Sequence, residues 1–244
     1  LMLPVEAARE QLLRVPALWL TDYAHDWRLR QSIAAHIPAL IPTMLLGDED
    51  GCLITLSLLA LNDPVNALRN IGIQCVPITY RTFREHDETI ADGFLSMLCD
   101  MAHASTSRQR TTFLNIVQSL LEHDLSRDRF ERLILPCLLE LAADGVSDVN
   151  IALARTVQQV WLLGWYNNET MPAALRQVVA TLFIAPTLTV QEFMQSLDPP
   201  ILTHDMQPMP LNKRHPLVFG PAPPTLDNTI IPMPHSDESE HSSE

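Results

Sequence analysis

Apolar and polar positions recur in register four times along this chain. The anchors are Leu29-Arg30, Leu68-Arg69, Gln109-Arg110 and Val149-Asn150, whose second members stand 39, 41 and 40 residues apart. Three and four places on come Ile33-Ala34, Gly72-Ile73, Phe113-Leu114 and Leu153-Ala154; seven places on come Ile37, Val76, Val117 and Val157. Offsets of three, four and seven lie on one stripe of an α-helix. Each anchor therefore opens a helix with one buried face, and an apolar helical stretch precedes each. The expected pairs are Val5 to Leu20 with Trp27 to Leu40, and Asp48 to Leu61 with Asn66 to Thr82. Glu88 to His103 with Arg108 to Glu122, and Arg127 to Ala142 with Val149 to Trp161, complete the run. A weaker pair, Met171 to Phe183 and Val190 to Ser196, follows as a terminal cap.

A period near forty with two helices per unit is the signature of HEAT or armadillo arrays. The expected fold is all-α: an α-solenoid of about four antiparallel helix pairs plus a weak C-terminal cap pair, over residues 1–196. Such units pack only on their neighbours and offer long surfaces to other proteins. The turns Asn62-Asp63-Pro64 and Asp144-Gly145-Val146-Ser147-Asp148 carry the residues that reverse a chain and cap a helix. Asp63 precedes Arg69 by six residues, and Asp144 precedes Asn150 by the same step. In stacked repeats this spacing lets Asp and Arg bond across adjacent turns as a ladder. Unit two keeps both members here, whereas Asn150 replaces the Arg of unit four, so ladder support is expected to be weak at unit four.

Beyond Leu197 the pattern stops. Ten of the 19 prolines fall between Pro199 and Pro234, and the end is a Ser-rich acidic run from His235 to Glu244. Such a segment buries too little apolar surface to offset its chain entropy, so residues 197–244 are expected to be a disordered tail. The chain starts at Leu1 in mid-helix composition, as a piece of a longer protein would.

Composition narrows the chemistry. With 47% hydrophobic residues the chain can bury a core, and with 7 Gly it is poor material for a turn-rich β fold. A net charge of −13 argues against nucleic acid or an anionic membrane surface as a general partner. No apolar run reaches the length of a membrane span. Cys52, Cys75, Cys99 and Cys137 sit singly within apolar helical stretches, as buried free thiols in a reducing cytosol or nucleus would. The His-Asp dipeptides His25-Asp26, His86-Asp87, His123-Asp124 and His204-Asp205 invite comparison with helical metal-dependent phosphohydrolases. They occupy unlike places in the repeat, however, so their side chains are not expected to converge on one ion. There is no phosphate-binding Gly loop and no nucleophile elbow. We expect no catalytic site, no metal and no cofactor.

Trp27-Arg28-Leu29-Arg30 stands at the turn and start of a second helix. Trp27 either caps the groove between units or joins an outward contact ridge, since Trp and Arg dominate interface energetics. Asp26-Trp-Arg-Leu-Arg30 before an apolar helix resembles the Trp-Arg-x-Arg signature of the HEAT-repeat scaffold and regulatory subunits of protein phosphatase 2A-like Ser/Thr phosphatases. Two later runs, Arg108 to Leu120 with Phe130 to Ala142, and Val149 to Gln158, are similar in order and spacing to the phosphatase 4 branch of that group. The resemblance covers Val5 to about Ser196, and Asn150 departs from it. It implies a non-catalytic scaffold whose turn ridge holds a Ser/Thr phosphatase catalytic subunit, with further regulatory subunits as additional partners. The implied ridge runs through Trp27, Arg28 and Arg30, then Asn66 and Arg69, then Arg108 and Arg110. A general HEAT adaptor in transport or assembly is the alternative.

Overall fold

The amphipathic stripes fold as helices. The computed structural model describes residues 5–45, 51–123, 125–167, 169–184 and 190–191, with the backbone alone over 5–11. All of them lie in the first of the two units into which the chain divides, Leu1–Leu211. The expected tail, and the cap helix beyond Gln191, lie outside the described residues. The first two repeats are α1 (Val5–Leu20) with α2 (Trp27–Ala34) and α3 (Ile37–Met44), then α4 (Cys52–Asn62) with α5 (Asn66–His86). The third is α6 (Glu88–Cys99), continued by a 3-10 turn at Asp100–His103, with α7 (Ser107–His123). The fourth runs from α8 (Arg127–Arg129) through a π-turn at Phe130–Ile134 into α9 (Leu135–Leu141), and pairs with α10 (Ser147–Leu162). Ala173–Phe183 (α11) opens the cap. No strand occurs among the described residues, and the architecture is an all-α solenoid.

Two interruptions have local causes. The expected helix from Trp27 to Leu40 breaks at Ala35-His36, because Pro38 has no N–H to offer the Ala34 carbonyl. The π-turn has the same origin. Pro136 cannot bond back to Arg132, and the Leu135 N–H reaches instead to the Phe130 carbonyl, five residues back.

The second helices stack in a row, α3 on α5, α5 on α7 and α7 on α10, while α9 carries α11. Ala34, Ile37, Val76, Phe113, Leu114, Val117, Leu153, Ala154 and Val157, all at the repeating offsets, are buried. Gly72 is buried for a different reason: a Cβ there would stand 2.7 Å from the Leu61 backbone nitrogen, so its absence lets α5 lie close against α4. None of the four cysteines is in a disulfide; three of them are buried and Cys99 is half-buried. Burial pushes the Cys75 thiol up to about 11. No helix among the described residues is long and apolar enough to cross a membrane.

Candidate functional site

The turn ridge is built on one repeated backbone device. The carbonyl oxygens of Ala24, Asp63, Ala104 and Asp144 each accept from the anchor six residues on. Arg30 Nη1 donates at 2.6 Å, Arg69 Nη1 at 2.9 Å, Arg110 Nη1 at 2.9 Å and Asn150 Nδ2 at 3.1 Å. These contacts satisfy turn carbonyls that have no helical partner.

The anchors' remaining donors join adjacent units. Arg30 Nε and Nη2 donate to Asp63 Oδ2 and Oδ1 at 2.9 and 3.3 Å. Arg110 Nε and Nη2 donate to Asp144 Oδ2 and Oδ1 at 2.6 and 3.2 Å. Both are two-pronged Arg–carboxylate pairs. Asp63 and Asp144 also accept the N–H of Val65 and Val146, at 2.8 and 3.0 Å, which fixes each carboxylate in its turn.

This arrangement corrects two expectations. Arg30 and Arg110, read as outward ridge residues, are only 4% and 5% exposed. A carboxylate from the following turn covers each, so these guanidiniums join units together rather than face a partner. The ladder bonds Arg and Asp across adjacent turns, as the spacing led us to expect, with rungs that span 33 and 34 residues. Unit four, however, is not weakly tied to unit three, since Asp144 makes the shorter rung. The substitution at Asn150 shows elsewhere: its Oδ1 is buried with no hydrogen-bond partner among the described residues.

The other ridge candidates are open to solvent. Trp27 is 37% exposed, with the Arg28 guanidinium 4.8 Å above its ring and Leu29 exposed beside it. The indole filling the first turn is Trp19, buried with Arg30 5.9 Å over its ring. Asp26 caps α2 by accepting the Leu29 N–H at 3.0 Å. The structure brings Asn66, Arg69 and Arg108 together in one groove of about 490 Å³ at the N-terminal ends of α5, α7 and α10. Burial, and then the charge of Arg108, push the Arg69 pKa below the usual arginine value.

Arg155 and Asn115 line the same groove and were missed by sequence reasoning. Both fall five places after an anchor, on the flank of the buried stripe, and that offset was the available signal. Trp165 packs edge-on against Phe130 and Tyr166, at 5.7 and 6.4 Å between ring centres, as part of the cap. The His-Asp pairs have local roles where described. Asp87 caps α6 through the Thr89 N–H at 2.7 Å, and His123 Nδ1 bonds the Ser119 carbonyl at 2.7 Å. Among the described residues no three His, Cys, Asp or Glu side chains converge as metal ligands would. Asp124, His204 and Asp205 lie outside them.

No family model matches the chain. It is 26% identical over 164 residues to the human (Homo sapiens) serine/threonine-protein phosphatase 4 regulatory subunit 1, a match covering 66% of this chain and 17% of that protein. The mouse (Mus musculus) and rat (Rattus norvegicus) proteins of the same name match with the same identity and coverage. The relationship is distant, and the chain spans less than a fifth of these relatives' length.

Proposed function

We propose that this chain is a non-catalytic scaffold or regulatory segment that holds the catalytic subunit of a phosphatase 4 or 2A-type Ser/Thr phosphatase on its turn ridge. The likeness to a phosphatase 4 regulatory subunit carries the reading. The helix-pair array supports it, because stacking sets equivalent turns side by side, and one partner then touches several units at once. With Arg30 and Arg110 committed to the ladder, the ridge reduces to Trp27, Arg28, Asn66, Arg69 and Arg108. The phosphatase metals would belong to the partner, in cytosol or nucleus.

Trp27 and Arg28 form the exposed aromatic–cation pair typical of an interface anchor. Replacing both with Ala, with helicity unchanged by circular dichroism, should weaken capture of purified phosphatase 4 catalytic subunit about thirtyfold, or roughly 2 kcal/mol. Capture equal to the parent chain removes this pair from the site. If the parent chain captures neither the phosphatase 4 nor the phosphatase 2A catalytic subunit, the reading itself falls.

A further inference from the structure

The ladder has one open rung. Arg30 meets Asp63 and Arg110 meets Asp144, but at the place where Arg69 would meet its carboxylate the next turn carries Ala104. The backbone there is already shaped for an aspartate: Ala104 has φ −59° and ψ 146°, against φ −61° and ψ 140° at Asp63. Arg69 is posed like Arg110. Its Nη1 is clamped by the Asp63 and Pro64 carbonyls at 2.9 and 2.8 Å, as that of Arg110 is by Ala104 and Ser105 at 2.9 and 3.0 Å. Arg110 then spends Nε and Nη2 on a carboxylate, whereas Arg69 Nη2 reaches only the Asn66 Oδ1, at 3.0 Å. Its Nε has no hydrogen bond among the described residues. The turns are tied instead by a neutral bond from Gln109 Nε2 to Asn62 Oδ1, 2.8 Å.

We propose that this open rung is a binding site for an acidic peptide segment of a partner protein, one of whose Asp or Glu carboxylates takes the place that Asp63 and Asp144 take on the closed rungs. The groove complements such a ligand. Arg69, Arg108 and Arg155 line it against one carboxylate, Asp148, in a chain whose net charge is −13. It is bordered by the N-terminal ends of α5 and α7, neither of which has an acidic residue in its first turn to answer the helix dipole. From there a trough continues past Asn70, Gln74 and Asn115, whose amides offer the donors and acceptors that an extended peptide backbone needs, with Glu122 the one carboxylate along it.

Fluorescence anisotropy with the full chain tests it, using a labelled short peptide of alternating Glu and Ser and its Gln-for-Glu counterpart. The Glu peptide should bind about tenfold more tightly than the Gln peptide, and Arg69→Gln or Arg108→Gln should remove that preference. Arg14→Gln, the same loss of charge at an exposed residue of α1, should leave it unchanged. Ala104→Asp closes the rung from within and should abolish the preference. If that variant does not fold, the Arg69 and Arg108 variants decide. Equal affinity of the parent chain for the two peptides, absent binding of either included, overturns the proposal. So does a preference that survives loss of Arg69.

Discussion

The closed rungs and the open one share the arginine clamp on turn carbonyls, Asp63 and Ala104 have nearly the same backbone angles, and the aspartate of the closed rungs is an alanine on the open one. With Asp63 or Asp144 in place, a guanidinium disappears into the stack. With Ala104 in place it stays half-exposed in a groove beside Arg108. Whether an arginine of this array is structural or available to a partner is therefore decided about 34 residues away, in the following unit and not in its own helix. Buried pairs of this kind do not guarantee stability, because desolvating two charges cancels much of their attraction. What they impose is a penalty for losing one partner.

That penalty gives the largest expected effect. Arg110→Ala leaves the Asp144 carboxyl, whose side chain is 2% exposed, with little but the Val146 N–H to hold it. Breaking a buried pair from one side typically costs about 3–5 kcal/mol. Urea denaturation should show it, with amide exchange accelerating first where α7 packs on α10. A loss below about 1 kcal/mol, the range of a solvent-screened pair, would mean that the closed rungs differ little from the open one.

The sequence spoke clearly about helices and only in part about the ladder. Val76, Val117 and Val157 lie where their offsets placed them because burial of one stripe is a local, periodic demand. Pro38 and Pro136 were visible too, but a proline does not announce whether it will break a helix, as at Ala35-His36, or widen it into a π-turn. That the rungs cross adjacent turns was legible, but not which arginine answers each aspartate: the six-residue step from Asp63 to Arg69 is closed by a backbone carbonyl, while the carboxylate turns to the previous unit. Spacing counts residues; it does not say which atom answers. The exposed pair Trp27-Arg28 was legible as a candidate because Trp and Arg stand together at the start of a second helix; the buried indole, Trp19, carried no comparable signal.

An open rung leaves unit two more dependent on packing, and Gly72 tests that half of the comparison. A methyl group at Gly72 meets the Leu61 nitrogen at 2.7 Å and the Ala60 carbonyl carbon at 3.1 Å, both backbone atoms that cannot swing aside. Gly72→Ala would ordinarily favour a helix. Here overpacking should outweigh that gain and destabilise by about 1–3 kcal/mol. A stabilised variant, read from the same urea midpoint, would show that α4 and α5 can separate without loss and that close approach is not what secures this unit.

The smallest effect is expected at the open rung itself. Arg69→Gln removes a charge that no carboxylate contacts among the described residues, so no buried anion is stranded. What is lost is a set of hydrogen bonds to the Asp63 and Pro64 carbonyls and to Asn66, at a half-exposed site that water can reach and where Gln can still donate. Loss of hydrogen bonds under those conditions is worth about 1 kcal/mol or less. The contrast with Arg110→Ala is the informative quantity. If Arg69→Gln costs as much as Arg110→Ala in the same urea series, Arg69 has a buried partner of its own. The difference between Ala104 and its aspartate counterparts then has no energetic meaning.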